Sequence, residues 1–174
     1  MGAEKVNGEM LAFMRDFTRH HPELLHIHGT GSIEKEAAAI MAEEYGLSGC
    51  GNIDIREYIY DMPTLMAAAD IVVSRAGAMT LSELAALKKC CVLIPSPHVT
   101  DNHQYKNAKV LADKGAALLF EEKELSDGVL TKALSKLIED PVRRSEMEKN
   151  IAELALTDAN RSIYSDLSRL VKKA

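Results

Sequence analysis

The sequence predicts a Rossmann-like α/β domain, a doubly wound parallel sheet with helices on both faces. Three observations predict it. Apolar periodicity switches repeatedly between helical and strand spacing along the chain. The strand runs are continuously apolar, as they are when helices cover both faces of a parallel sheet. The length of 174 residues, 47% of them hydrophobic and 27% charged, suits one domain with a sizeable core. The right-handed crossover rule then leaves a doubly wound topology.

Val6, Met10, Leu11, Met14 and Phe17 recur at helical spacing, predicting a helix from about Glu4 to Arg19, closed by Pro22. Leu24 to His28 reads as a short strand ended by Gly29-Thr30-Gly31-Ser32, and Ile33 to Tyr45 as a helix stopped at Gly46. Ile53 to Ile59 is a weaker strand and Met62 to Ala69 a short helix. Ile71-Val72-Val73 is a buried strand, Ser74 to Ala78 a tight loop, and Met79 to Leu87 a helix. Cys91 to Ile94 is the next strand, broken by Pro95-Ser96-Pro97. Asp101 to Lys114 reads as a helix stopped by Gly115, and Ala116 to Phe120 as a strand. Helices complete the chain over Asp127 to Glu139, Pro141 to Leu156 and Ala159 to Val171, with Pro141 suited to a first helical position. Residues 1–174 read as a single domain. A helix at the very start, with no strand and glycine-rich turn before it, is expected of a domain cut from something longer.

Composition excludes several classes. No stretch reaches the roughly 18–20 apolar residues of a membrane-spanning helix, and no signal peptide is legible. Twenty-six acidic against 21 basic side chains give a formal charge of −5, which argues against nucleic acid as a partner. Cys50, Cys90 and Cys91 form neither a C-x-x-C pair nor a zinc grid and read as reduced thiols, the adjacent two pointing to opposite faces of a strand. His26 and His28 share one strand face but lack a third ligand nearby, so they read as structural histidines. No metal site or cofactor is expected.

Ligands of open α/β sheets lie outside the carboxyl ends of the strands, at helix N-termini. Two such starts stand out. In Ser74 to Glu83, the small residues Ala76, Gly77 and Ala78 admit a ligand close to the backbone. The N–H groups near Met79 and Thr80 suit a diphosphate, and Glu83 could accept from a ribose diol. Thr80-Leu81-Ser82-Glu83 reads equally as a capping box with no ligand at all. In Thr100 to Asn107, the side chains of Asn102, His103, Gln104 and Asn107 match sugar hydroxyls, which both donate and accept. The competing reading is a Thr100 or Asp101 cap with a solvated first turn. No nucleophile or general base is evident.

These residues resemble a known family. Tyr58-Ile59-Tyr60-Asp61-Met62, Ala67 through Leu84, Pro95-Ser96-Pro97 and Asn102 through Ala108 are similar to the C-terminal half of the MurG glycosyltransferases. These add N-acetylglucosamine to lipid I to form lipid II in peptidoglycan synthesis, and so bear on cell shape and division. The likeness runs through nearly the whole chain; Met1 to Asn7 resembles the segment after the family's Gly-Gly-Ser loop.

The resemblance implies a GT-B fold, of which this chain is the C-terminal, donor-binding domain. Carried over by motif, the backbone of Ile59 would meet uracil, with Tyr58 beside it. The amides of Ala78, Met79 and Thr80 would face the diphosphate and sugar, and Glu83 the ribose hydroxyls. Gln104, with His103, would read the sugar hydroxyls of UDP-N-acetylglucosamine, and Arg75 would lie close to the donor. Metal-free inverting displacement is implied, and the chain has no D-x-D motif. Lipid I, the cytoplasmic membrane face and the base would be met through an N-terminal domain. This chain by itself would bind donor weakly or not at all and make no lipid II. Three other readings stay open: a GT-B donor domain for a different UDP-sugar, half of a split transferase, and a non-catalytic nucleotide-sugar sensor.

Overall fold

A computed structural model describes residues 3–126, 128–156 and 158–171. Among the described residues, five α-helices and five strands alternate as expected over the first two-thirds of the chain: α1 (Glu4–Asp16), β1 (His26–Gly29), α2 (Lys35–Glu44), β2 (Ile53–Arg56), α3 (Met62–Ala68), β3 (Ile71–Ser74), α4 (Ala78–Ala86), β4 (Cys90–Leu93), α5 (His103–Asp113) and β5 (Ala117–Leu119). Helices α6 (Val129–Glu139), α7 (Pro141–Ala152) and α8 (Ala159–Val171) follow. The first helix stops at Asp16, and a 3-10 turn covers Thr18–His20. Leu25 is exposed, and β1 starts at His26, two residues later than the apolar run suggests. Asp127, the expected start of α6, lies outside the described residues.

The parallel sheet comes in two pieces. β1 pairs with β2, aligning His26 with Ile53, and β3-β4-β5 form a second sheet aligning Val72 with Cys91 and Cys91 with Ala117. β4 lies centrally in its sheet and is buried at every position, which explains its continuous apolar run. Cys90 and Cys91 do point to opposite faces. Cys91 and Leu93 join Leu84 of α4 and Ala108 of α5 on one side. Cys90 and Val92 join Met10 and Phe13 of α1 and Leu130 and Leu134 of α6 on the other. Burial pushes both thiols up to about 12, which keeps them protonated and inert.

Helix α1 spans both sheets. Its Met10 and Phe13 enter the core beside Ile71 and Val73, while Leu11 and Met14 pack with Ala38, Ala42, Ile53 and Ile55. Asn7, buried on the same helix, donates through Nδ2 to the Thr30 carbonyl at 2.9 Å. Its Oδ1 therefore accepts from His28 Nε2 at 3.1 Å. His26 meets Thr18 Oγ1 at 3.3 Å. Both histidines are half-buried and hydrogen-bonded within the fold, and burial lowers both to about 4. Among the described residues no helix is long and apolar enough to cross a membrane.

Candidate functional site

The two predicted helix starts lie at the carboxyl ends of adjacent parallel strands. α4 follows β3 directly, α5 follows β4, and their inner faces share one core through Leu81, Leu84, Ala108 and Leu111. Thr80 and Gln104 therefore stand on the same edge of the sheet.

The start of α4 is backbone. Its N-cap is Gly77, extended at φ −66 and ψ 143, with no side-chain cap. The first intrahelical bond is from the Leu81 N–H to the Gly77 carbonyl, 3.0 Å, so the N–H groups of Ala78, Met79 and Thr80 have no acceptor within the helix. Ala78 and Met79 are exposed and Thr80 is half-buried. The helix macrodipole adds positive potential where these donors converge. The capping-box reading fails on register: with Gly77 at the cap, Thr80 is the third helical residue and Glu83 lies a turn farther on. Glu83 is exposed on the first two turns, three residues beyond Thr80. At the base of this opening, Ser74 Oγ is buried without a hydrogen-bond partner among the described residues.

The start of α5 presents side chains. The expected helix from Asp101 begins instead at His103, after a 3-10 turn over Thr100–Asn102. Asp101 (φ 54) and Asn102 (φ 50) are both left-handed, a conformation these two residue types tolerate best among non-glycines. Neither the Thr100 nor the Asp101 side chain caps the helix; the N-cap is Asn102, without a side-chain bond. His103 Nδ1 lies 2.9 Å from the Thr100 carbonyl. A carbonyl only accepts, so Nδ1 donates and Nε2 faces away from this bond. The Ser96 N–H donates to Gln104 Oε1 at 3.0 Å, which turns the carboxamide NH2 away as a donor. The Gln104 NH2 and the His103 ring nitrogen are polar groups of a kind suited to hydroxyls. His103 is exposed and Gln104 half-buried.

Arg75 is engaged within the protein. Its Nη1 donates to the Ile94 and Pro95 carbonyls at 3.2 and 3.3 Å, and Nη2 pairs with Glu122. Sequence reading missed Glu122; only its sequence distance from Arg75 hid it. Tyr58 and Ile59 follow the carboxyl end of β2, a strand of the other sheet. Tyr58 is exposed and meets the exposed Tyr60 edge to face, ring centroids 4.9 Å apart. Ile59 is half-buried, and a Cβ added to Gly29 would stand 3.4 Å from its side chain. A cleft of about 440 Å³ is lined by Lys5, Ser96, Asn102, Tyr105 and Glu122 among others. None of the nine expected donor-contacting residues lines it. No group of three or more His, Cys, Asp or Glu side chains capable of holding a metal occurs among the described residues.

Comparison with known proteins gives a consistent picture. Residues 1–163 match the glycosyltransferase family 28 C-terminal domain. A UDP-N-acetylglucosamine–N-acetylmuramyl-(pentapeptide) pyrophosphoryl-undecaprenol N-acetylglucosamine transferase of Bacillus thuringiensis (strain Al Hakam) is 36% identical over 172 residues, 99% of this chain and 46% of that protein. The enzyme of the same description from Acetivibrio thermocellus is 38% identical over 173 residues, 98% of this chain and 45% of that protein. The crystal structure of Acinetobacter baumannii MurG superposes with a TM-score of 0.77 at 25% identity, covering 97% of this chain and 47% of that one. The glycosyltransferase VinC, at 16% identity and a TM-score of 0.67, shares the fold. The chain thus spans less than half the length of the curated relatives it matches.

Proposed function

Because the chain belongs to the glycosyltransferase family 28 C-terminal domain family, we propose that it is the donor-binding half of an inverting transferase. That enzyme moves N-acetylglucosamine from UDP-N-acetylglucosamine to lipid I, forming lipid II for peptidoglycan. One observation carries this reading: α4 opens with uncapped amides beside the hydroxyl-matching side chains of α5, at the carboxyl ends of neighbouring strands.

The residues divide the donor by its chemistry. The amides of Ala78, Met79 and Thr80 take the diphosphate, Glu83 accepts from the ribose hydroxyls, and His103 and Gln104 read the sugar. Tyr58 and the Ile59 backbone receive the base. In the reaction the C4 hydroxyl oxygen of the muramoyl sugar bonds to the anomeric carbon with inversion, while the bond from that carbon to the UDP oxygen breaks. The hydroxyl proton passes to a base contributed from outside this domain. Negative charge grows on the departing diphosphate, and amides already fixed at a helix N-terminus stabilise it more in the transition state than in the ground state. The acceptor is presented at the cytoplasmic face of the membrane, where the complete enzyme is peripheral and supports cell shape and division.

Calorimetric titration of UDP and UDP-N-acetylglucosamine into wild type and Glu83→Ala tests this. We expect Glu83→Ala to lose about 1–3 kcal/mol of binding for both ligands, the cost of removing a charged hydrogen-bond acceptor. Equal affinity of the two proteins would remove Glu83 from the donor site.

A further inference from the structure

We propose that Glu122 and Arg75 are positioning residues that fix the carboxamide of Gln104, so that Glu122 helps set the sugar preference of a site it does not touch. This inference rests on the donor-pocket reading above. Arg75 follows β3, Ile94 and Pro95 follow β4, and Glu122 follows β5, so a single guanidinium ties together the carboxyl ends of all three strands of the site-bearing sheet. Both members of the ion pair are largely shielded, with 25% and 18% of their side chains exposed. A planar guanidinium can serve two carbonyls and a carboxylate at once, which a lysine cannot.

The Glu122 end is firm. Its turn carries a capping box in which the Glu121 N–H donates to Glu124 Oε2 at 2.7 Å and the Glu124 N–H to the Glu121 side chain, and the Glu124 N–H also lies 2.9 Å from the Glu121 carbonyl. Just before it, the Phe120 N–H donates to the Leu93 carbonyl at 3.0 Å. The opposite end is the loop that matters. Pro95, whose carbonyl Arg75 holds, is followed by Ser96, whose N–H fixes Gln104 Oε1. The order of contacts is therefore Glu122, Arg75, Pro95, Ser96, Gln104. With the ion pair intact, Gln104 presents its NH2 outward. With the pair cut, the loop loses its anchor, the carboxamide can turn over, and donor and acceptor exchange places. A sugar hydroxyl read by a fixed donor is then read by a mixture.

The test compares wild type, Glu122→Gln, Gln104→Ala and the double variant in two measurements. The first is calorimetry with UDP, UDP-N-acetylglucosamine and UDP-N-acetylgalactosamine. The second is amide hydrogen exchange at Ser96 in the ligand-free protein. We expect UDP affinity to stay within about twofold in all four proteins, since the diphosphate amides lie on α4. The preference for UDP-N-acetylglucosamine over its C4 epimer should fall about fivefold to tenfold in Glu122→Gln, the worth of roughly one hydrogen bond. It should fall as far in Gln104→Ala and no further in the double variant, and Ser96 exchange should accelerate in Glu122→Gln. Unchanged Ser96 exchange in Glu122→Gln overturns the proposal. So does a preserved sugar preference, or a loss that extends equally to UDP. Full-length enzyme carrying this domain that binds no UDP overturns the donor-pocket reading and the sugar role with it, while Ser96 exchange still reports the coupling by itself.

Discussion

The two sheets are built from the same kind of unit and do different work. β1 and β2 are partly exposed at every position described as strand, and β1 carries two half-buried histidines held by Asn7 and Thr18. β4 is buried throughout, and its sheet is cored by cysteine, valine and leucine. The first sheet keeps polar groups inside and satisfies them one by one. The second keeps its interior apolar and sends its polar groups to the carboxyl edge, where α4 and α5 begin. The lesson is that a sheet with an apolar interior can leave donors at its carboxyl edge uncommitted, as the helix-start amides of Ala78, Met79 and Thr80 are.

Three substitutions would break or sharpen that contrast. The largest effect is expected from Ala78→Asp at the first turn of α4. A carboxylate there meets the uncapped amides, so the helix should gain about 0.3–1 kcal/mol in urea unfolding. The same charge repels a diphosphate, and UDP affinity should fall at least about tenfold in calorimetry. A variant that is stabilised and still binds UDP normally would separate the α4 start from the donor.

The second concerns pH and sets the β1–β2 sheet against its neighbour. Burial lowers His26 and His28 from 6.5 to about 4. The unfolded chain therefore takes up two protons that the folded chain refuses as pH falls from 6.5 towards 4. Their contribution is flat above 6.5, declines through that window and is fully lost below about 4. We expect His28→Gln, whose amide can still donate to Asn7, to lower the slope of unfolding free energy against pH by up to one proton between pH 6 and 4.5. An identical slope in the two proteins would mean that His28 is no part of the acid sensitivity.

The smallest effect belongs to Asn102→Gly. Glycine adopts the left-handed conformation without a Cβ penalty, so thermal unfolding should report a gain of about 0.5–1 kcal/mol. A loss of stability would show that the asparagine side chain supports the turn.

Much of this was legible in the sequence, and the exceptions share a cause. Pro141 does open α7, preceded by Asp140, whose carboxylate accepts from the Arg143 N–H at 2.9 Å. Gly46 and Gly115, both with positive φ, sit just past helices where stop signals were expected. These are local decisions, made within a turn of the residue that signals them. The start of α5 was misread because helical periodicity runs back through Asp101, whereas the backbone there is bent left-handed. Thr80 to Glu83 imitated a capping box because the motif carries no record of where the helix begins. The division of the sheet and the pairing of Arg75 with Glu122 depend on strand order, which apolar runs do not encode. Gln104 stands out by its residue type alone, but the orientation of its carboxamide depends on Ser96.

Helix α1 remains, lying over the seam where neither sheet hydrogen-bonds to the other. A splint across a joint makes both sides hold or fail together. Successive residues of α1 serve opposite banks of the seam, so lifting it would uncover two hydrophobic cores at once. The histidine-bearing strands and the strands beneath the α4 and α5 starts are thus bound to a single melting event, although no backbone bond joins them.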